Sequence, residues 1–401
     1  MGDTIERIDL LHCDAGWRNY HFCKVTTADG VVGWSEYDEG FSAPAVSPAI
    51  EALAPLVVGR RAAEHEAVHH VLRAATRPAA TGVVGEAIGA IENALLDAKA
   101  RALGVPCYEL LGGKVRDRIR VYWSHSVTWR VSFPELYGGP ITTWDDVREL
   151  GAEVREAGFT ALKTNIFTST DGGPLRGWAP GFGRPADPAL NVERHVLRDL
   201  HTQLVALREG AGDGVDILLD LNFNARPGGL HQIVRALADL DLFWIEIDAD
   251  RPSALASVRR SSAAPISGCE TIFGVTGLLP YLEDQAVDVA IIDGVWNGMW
   301  QAMKMASTAA GFDVNVAPHN FYGHLATMMN AHFAAAVPNL RIMETDIDRL
   351  PWDDELVTVP PRFEDGHLVL GDAPGWGTEP VEEAIAARPP GTPRLLSQRK
   401  R

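Results

Sequence analysis

The chain has 401 residues, of which 46% are hydrophobic and 22% charged, and its 53 acidic and 36 basic residues give a net charge of −17. This profile indicates a globular protein with room for one large domain and a smaller one. A strongly acidic protein repels phosphate backbones and anionic membrane surfaces, so the charge argues against nucleic-acid and membrane-surface partners.

The sequence pattern of the first hundred residues predicts an antiparallel sheet followed by a long helix. Strand-like segments at 22–27 and 31–36 flank a turn that contains Asp29-Gly30, which is a good hairpin signal. From Gly82 the apolar residues follow helical spacing, and Gly104 is placed to end the helix. We therefore expect an α+β domain that ends near residue 113.

After residue 116, short apolar segments of strand length alternate with helix-length segments, a pattern typical of βα units. Six successive apolar segments end in an ionisable residue, at intervals of 23 to 26 residues: Asp220, Glu246, Glu270, Asp293, His319 and Glu344. In a (β/α)₈ barrel the carboxyl ends of the strands surround the active site. The spacing therefore predicts that these six side chains form one ring.

Two earlier segments complete the barrel. Residues 121–123 supply the first strand, and 161–163 supply the second, which ends in Lys163. The step from Lys163 to Asp220 is longer than the others, and the excess lies in a Gly-, Pro- and aromatic-rich stretch from Phe167 to Pro188. An insertion after a strand end falls on the catalytic face, so we expect this stretch to shape or cover the site.

Three carboxylates of the ring predict a metal. Asp220, Glu246 and Glu270 end three adjacent strands, and three carboxylates that converge on one point need a cation to remain ionised. Oxygen ligands favour Mg²⁺ over Zn²⁺. The bland alternative is that each carboxylate pairs with an Arg or caps a helix.

The next two ring positions predict a general base. Asp293 and His319 end neighbouring strands, so their side chains can form a hydrogen bond, and an Asp-oriented His is a suitable base. Lys163, one of only six lysines in the chain, is expected to face the centre, where it holds a substrate carboxylate or moves a proton.

A cation beside a base fits abstraction of the proton α to a carboxylate, because the resulting enolate needs Mg²⁺ on its oxygens. Glu344, if protonated, would donate a further hydrogen bond. Asn222, two residues past Asp220, is expected to bind substrate hydroxyls, and Trp296 is a candidate for the pocket wall.

The sequence resembles the enolase superfamily, specifically its mandelate racemase-like group of the acid sugar dehydratase type. The resemblance covers nearly the whole chain: residues 90–113 are similar to the family's capping-domain helix and its exit, Asp220, Glu246 and Glu270 match its metal ligands, and Asp293 with Pro318-His319 matches its dyad.

The resemblance implies a (β/α)₇β barrel, closed by an α+β cap that the N-terminal region forms with the C-terminal tail. The corresponding domains are 1–115 for the cap, 116–350 for the barrel and 351–401 for the segment that returns to the cap. It also implies one Mg²⁺ per subunit, an even-numbered homo-oligomer, and substrate contacts from cap loops near Trp17 to Asn19 and Tyr37.

One departure from the family pattern bears on the reaction. The group usually carries Lys-x-Lys at the end of strand two, whereas this chain has Lys163-Thr164-Asn165, and an amide cannot accept a proton. A racemase needs a base on each face of the α-carbon, so Asn165 becomes a substrate-binding candidate instead. We therefore favour dehydration of an aldonic or aldaric acid to a 2-keto-3-deoxy acid.

Other functions remain open at this stage. A racemase, epimerase or cycloisomerase of a carboxylate would use the same enolate chemistry, with Lys163 as the second base of a racemase. A metal-dependent hydrolase would draw several His ligands from strand ends, but the ring offers one. A protein that binds a small acid without turnover is the alternative outside enzymes, because Asn165 replaces a base.

The cysteines and the N-terminus bear on the compartment. The four cysteines are widely spaced and form no CxxC pair, which predicts reduced thiols. The sequence shows no signal-peptide pattern and no apolar run of membrane-spanning length. We expect a cytoplasmic protein.

Overall fold

A computed structural model describes residues 3–40, 43–169, 172–182 and 191–392. The chain begins with a three-stranded antiparallel sheet, in the order β1-β2-β3, and four helices. Their bounds are β1 Ile5–Ala15, β2 Arg18–Thr27, β3 Val32–Tyr37, α1 Val46–Val57, α2 His65–Ala75, α3 Gly82–Leu103 and α4 Cys107–Leu110. The predicted hairpin is β2–β3, and the predicted long helix is α3, which ends at Gly104 with a φ of 68°.

The strands that follow comprise a parallel barrel and one short hairpin. They are β4 Arg118–Ser124, β5 Ala161–Thr164, β6 Phe167–Thr168, β7 Arg176–Gly177, β8 Asp216–Asp220, β9 Trp244–Glu246, β10 Ile266–Gly268, β11 Val289–Ile292, β12 Asn315–Pro318 and β13 Met343–Asp346. All but the β6–β7 hairpin belong to the barrel, and each neighbouring pair runs parallel. A parallel bridge between Val316 and Leu340 joins β12 to the segment before β13.

Helices connect successive barrel strands on the outside. They are α5 Thr128–Ser132, α6 Trp144–Glu156, α7 Arg194–Ala211, α8 Pro227–Ala236, α9 Pro252–Ser261, α10 Gly274–Glu283, α11 Gly294–Asn297, α12 Met299–Ala310 and α13 His324–Ala336. Each of the seven connections carries at least one helix, so the predicted (β/α)₇β barrel with a capping domain is confirmed.

Two apolar layers support the barrel. Side chains of the barrel strands fill its interior: Tyr122, Ala161, Leu218, Trp244, Val289, Ile291, Ala317 and Ile342. A larger core lies between the strands, the outer helices and the cap. The interior layer forms a solid floor, so the polar side chains at the strand ends face a closed base.

The last segment contains β14 Phe363–Glu364, β15 His367–Val369 and α14 Glu382–Ala386. It returns to the cap, where the indole N–H of Trp376 donates to the carbonyl of Trp34. It also adds β15 to the barrel, antiparallel to β4, which the sequence did not predict. From these contacts we propose the same domain boundaries, near residues 115 and 350.

Close packing of α3 joins the cap to the face of the barrel at which the strands end. A Cβ at Gly89 would lie 2.5 Å from the carbonyl oxygen of Trp296 in α11. Only glycine permits this approach, which fixes the cap against the loop that follows β11. All four cysteines are free and buried. Within the described ranges, no helix combines the length and apolarity that crossing a bilayer requires.

Candidate active site

The predicted metal ligands lie on three adjacent strands. Asp220 and Glu246 are the last residues of β8 and β9 and are directly paired across the two strands. Glu270 follows two residues after the end of β10. Side chains at the carboxyl ends of neighbouring parallel strands share one edge of the barrel, so the three carboxylates face a common region.

Lys163, in β5, lies at the centre of this region and is buried. Its Nζ is 2.9 Å from Glu344 Oε1, 3.3 Å from Glu246 Oε2 and 3.6 Å from Asp220 Oδ2. Burial lowers the pKa of Lys163, but the surrounding carboxylates outweigh it and hold the pKa well above 10.5. In this arrangement, with the ring carboxylates turned toward it, Lys163 is therefore an ammonium.

The positive charge around the ring carboxylates is too small to keep Glu246 and Glu270 ionised at neutral pH. Burial raises the pKa of Glu246 to about 8 and that of Glu270 to about 8, and repulsion from Asp220 acts in the same direction on both. Oε1 of Glu246 is buried and receives no hydrogen bond from any described residue. Oxygen donors of this kind, in excess of their counter-charge, fit a hard divalent cation such as Mg²⁺.

Protein cations hold these carboxylates in the present arrangement. Lys163 contacts Asp220 and Glu246, and His319 Nε2 lies 3.6 Å from Glu270 Oε2. Across the described ranges, no three His, Cys, Asp or Glu side chains are drawn together as the ligands of one ion. The carboxylate oxygens are of the type that Mg²⁺ prefers. To coordinate the ion, the side chains of Asp220, Glu246 and Glu270 would have to turn away from Lys163 and His319.

The predicted dyad is formed. His319 Nδ1 lies 2.5 Å from Asp293 Oδ2, and both side chains are buried. Tyr322 Oη donates to the same oxygen at 2.5 Å, and the backbone N–H of Trp296 donates to Oδ1 at 2.8 Å. Every oxygen of Asp293 is thus satisfied, which fixes the imidazole ring and leaves its Nε2 directed at Glu270.

His319 is surrounded by negative charge. Burial lowers its pKa, but the Glu270 charge and the Asp293 hydrogen bond outweigh burial and raise the pKa to about 10. Binding of a cation by Glu270 would remove part of this effect. The pKa of His319 would then fall toward the range in which an imidazole acts as a base.

Glu344, which would donate a further hydrogen bond if it were protonated, is a hydrogen-bond acceptor in this structure. Its Oε1 accepts from Lys163 and, at 2.5 Å, from Ser124 Oγ, and its Oε2 accepts from the backbone of Asn320. Burial raises the pKa of Glu344, but the charge of Lys163 outweighs it and the net pKa lies well below 4.5. Glu344 is therefore a carboxylate that holds Lys163.

Two asparagines lie beside the ring. Asn222 binds Asp220 through its backbone N–H at 2.8 Å and through Nδ2 at 3.1 Å. Asn165 donates to Asn222 Oδ1 at 3.3 Å and accepts from Thr128 Oγ1 at 2.7 Å. Both asparagines line the cavity described next, so both are placed to meet a ligand.

A cavity of about 410 Å³ opens above the ring and is lined by Lys163, Asp220, Glu270 and His319 among others. Its walls are strongly aromatic: Trp129, Phe167, Trp178, Phe182, Phe223, Trp296 and Phe321. Trp296 is thus placed as expected. Within the predicted insertion, Phe167, Trp178 and Phe182 line the cavity, whereas 170–171 and 183–188 lie outside the described residues.

Tyr37, expected to contact substrate, does not line the cavity in this structure. Tyr37 is buried in the cap, and its hydroxyl lies 2.7 Å from Ser47 Oγ. Trp17 does not line the cavity either. It packs behind the cavity residue Trp129, with ring centroids 4.8 Å apart. Asn19 instead bonds the backbone of Gly391.

Sequence reasoning missed three residues at the site. Tyr322 binds Asp293 but follows no strand end directly. His125, with a φ of 51°, lines the cavity and lies 3.0 Å from Asp346 Oδ1. Asp248 follows Glu246 by two residues, the same spacing that singled out Asn222 after Asp220, so this signal was present in the sequence.

Two family models match the chain. The model described as "Mandelate racemase / muconate lactonizing enzyme, N-terminal domain" matches residues 15–112, and the model described as "Enolase C-terminal domain-like" matches residues 146–384. Together they cover the cap and most of the barrel, including every ring residue.

Similar proteins carry different activity names. A D-galactonate dehydratase family member from Streptomyces bingchenggensis is 32% identical, over 98% of this chain and 95% of that protein. A D-xylonate dehydratase from Haloferax volcanii is 29% identical, over 91% and 84%. A crystal structure of a putative L-alanine-DL-glutamate epimerase from Burkholderia xenovorans, bound to magnesium and fumarate, is 59% identical, with a TM-score of 0.97 and coverage of 99% and 98%.

Proposed function

The chain belongs to the mandelate racemase and muconate lactonizing enzyme group of the enolase superfamily, and on that basis we propose that it is a Mg²⁺-dependent dehydratase of a sugar acid. The substrate class is an aldonic or aldaric acid, and the product a 2-keto-3-deoxy acid. The relatives named as dehydratases support this reaction, and the site supplies the chemical argument for it.

The observation that carries the proposal is the difference between the two sides of the ring. His319, oriented by Asp293, is a base on one side. On the other side stand the Asn165 amide, which cannot take a proton, and Lys163, whose Nζ lies 2.9 Å from Glu344, a carboxylate outside the proposed metal ligands. A 1,1-proton transfer needs two bases, whereas an elimination needs one base and one acid.

His319 performs both proton steps of the proposed reaction. Its Nε2 takes the proton from the α-carbon, while Asp293 and Tyr322 hold the ring through Nδ1 and stabilise the imidazolium. The same Nε2–H then protonates the departing β-hydroxyl as the C–O bond breaks and water leaves. The enol product tautomerises to the 2-keto-3-deoxy acid without further help.

The remaining residues bind the acid. Lys163 places a fixed positive charge where it attracts the substrate carboxylate, and Glu344 holds it there. Asp220, Glu246 and Glu270 would hold Mg²⁺, which when bound stabilises negative charge on the carboxylate oxygens. Asn165 and Asn222 offer amide groups to hydroxyls, and Trp296 closes the wall beside His319, with ring centroids 5.4 Å apart.

Epimerisation is the second candidate, favoured by the Burkholderia structure at 59% identity. A screen of aldonic, aldaric and dipeptide acids with Mg²⁺ tests the two, with detection of 2-keto acids and of inverted substrate in parallel. Formation of a 2-keto acid that depends on Mg²⁺ and is lost in H319N supports dehydration. Inversion of a substrate without a keto product would contradict it.

A further inference from the structure

The carboxylate of Asp248 has no hydrogen-bond or ion-pair partner among the described residues. Both of its oxygens are buried, and neither receives a hydrogen bond from any described residue. No ion pair joins it to a Lys, Arg or His in the described ranges. A buried carboxylate without donors or counter-charge is strongly unfavourable, so this group calls for a partner outside the protein.

The backbone directs Asp248 toward the site. The chain stays extended past the end of β9, because Ile247 N donates to Ser267 O at 2.9 Å and Asp248 N donates to Asn222 O at 3.1 Å. Side chains alternate along an extended chain. Ile247 is wholly buried in the outer core, so Glu246 and Asp248 share the opposite face, toward the barrel axis.

Asp248 and Glu246 together present three buried carboxylate oxygens without donors: Oδ1 and Oδ2 of Asp248, and Oε1 of Glu246. Lys163, the cation that contacts Glu246 through Oε2, is shared with Glu344 and Asp220. A neutral hydrogen-bond donor could bind one of these oxygens but would not balance the negative charge of the two carboxylates. A divalent cation binds the oxygens and balances the charge, and hard cations of this kind prefer carboxylate oxygen.

We propose that Asp248 is a fourth carboxylate of the divalent-cation site and binds the same ion as Glu246. The inference rests on the proposed Mg²⁺ dependence and extends the ligand set of Asp220, Glu246 and Glu270. It makes Asp248 a determinant of cation affinity, and it accounts for acceptor oxygens that the protein leaves unsatisfied.

The test is a titration of EDTA-treated enzyme with Mg²⁺. Binding is measured by isothermal titration calorimetry, and stability is measured as the melting temperature. D248N keeps the shape of the side chain and removes its charge. We expect its Kd for Mg²⁺ to rise about tenfold or more, because the loss of a residue that only supports a metal ligand already costs about 10–100-fold in affinity, and a direct ligand contributes at least as much. At pH 9 we also expect a higher melting temperature than wild type without metal, because the repulsion of the Asp248 charge by Asp220 and Glu246 is removed.

D346N is the matched control. Asp346 follows Glu344 by two residues, as Asp248 follows Glu246, but it has a partner in His125 at 3.0 Å. D346N should leave the Kd for Mg²⁺ within twofold of wild type and lower the metal-free melting temperature. Equal Mg²⁺ affinities of wild type and D248N would overturn the role of Asp248 alone. Absence of binding to wild type would contradict the proposed function and this inference together.

Discussion

Nζ of Lys163 lies 2.9 Å from Oε1 of Glu344, in the buried centre of the barrel. Removal of the ammonium leaves the facing carboxylates without their counter-charge. K163M should therefore lower the free energy of unfolding of the metal-free enzyme by about 3 kcal/mol, the usual cost of breaking a buried pair, and should abolish turnover.

Chemical denaturation and activity assays measure both effects. K304M is the control, because Lys304 pairs with Glu66 at the surface. It should change stability by less than about 0.5 kcal/mol. A K163M enzyme as stable as wild type would show that the buried ion pairs do not hold the ring.

Replacement of the base tests its role directly. H319N should lower kcat by about a thousandfold, within the range that a general base contributes. It should retain the fold and Mg²⁺ binding, because His319 is not a proposed metal ligand. Steady-state kinetics with calorimetry separates the two properties. Full turnover by H319N would remove His319 from the mechanism.

Tyr322 tunes the dyad through the oxygen it shares with His319. In Y322F the Asp293 carboxylate loses a hydrogen-bond donor and its negative charge acts more strongly on the His319 ring, so the pKa of His319 rises. The acid limb of the kcat/KM profile should move to higher pH, and activity at pH 7 should fall about tenfold, since hydrogen bonds to charged groups contribute about 1.5–3 kcal/mol.

Y108F is the matched control for this substitution, because Tyr108 Oη also donates to a carboxylate, Asp372, but at the surface. Its pH profile should match that of wild type. If the pH profile of kcat/KM were unchanged in Y322F, Tyr322 would have no effect on the pKa of His319 and would serve only in packing.

The metal-free enzyme should lose stability as pH rises. Burial raises the pKa of Glu246, Asp248 and Glu270 to about 8 each. The folded state therefore holds protons that the unfolded chain releases near pH 4 to 4.5, and the stabilisation fades as pH rises toward 8. His319, with a pKa near 10, acts in the same direction above pH 6.5.

Melting temperatures between pH 5 and 9, measured with EDTA and with Mg²⁺, test this linkage. We expect a steep decline with EDTA and a flatter curve with Mg²⁺, which replaces the protons as counter-charge. Parallel curves would show that these carboxylates do not titrate as a metal site.

The barrel could be predicted from the sequence because an ionisable residue recurs at six successive strand ends, and that spacing places the side chains on one ring. The dyad followed for the same reason, since neighbouring strands bring Asp293 and His319 together. Asp248 lies two residues past the end of β9, the position that Asn222 has after β8, so the same spacing indicates its place in the sequence.

Two placements that the sequence did not indicate depend on contacts across the barrel and within the cap. The charge state of Glu344 depends on Lys163, which lies far from it in sequence and meets it only across the closed ring. Tyr37 was assigned by analogy with cap loops, but the bond of its hydroxyl to Ser47 keeps it in the cap interior. Local sequence patterns carry no information about either contact.

The most direct test of a one-base dehydratase is NMR of the reaction in D₂O with Mg²⁺ and the acid sugar that the screen identifies. The account predicts a 2-keto-3-deoxy acid with deuterium at C3 and unreacted substrate of unchanged configuration. Substrate that accumulates with deuterium at C2 and inverted configuration, without a keto acid, would show a second base opposite His319 and contradict it.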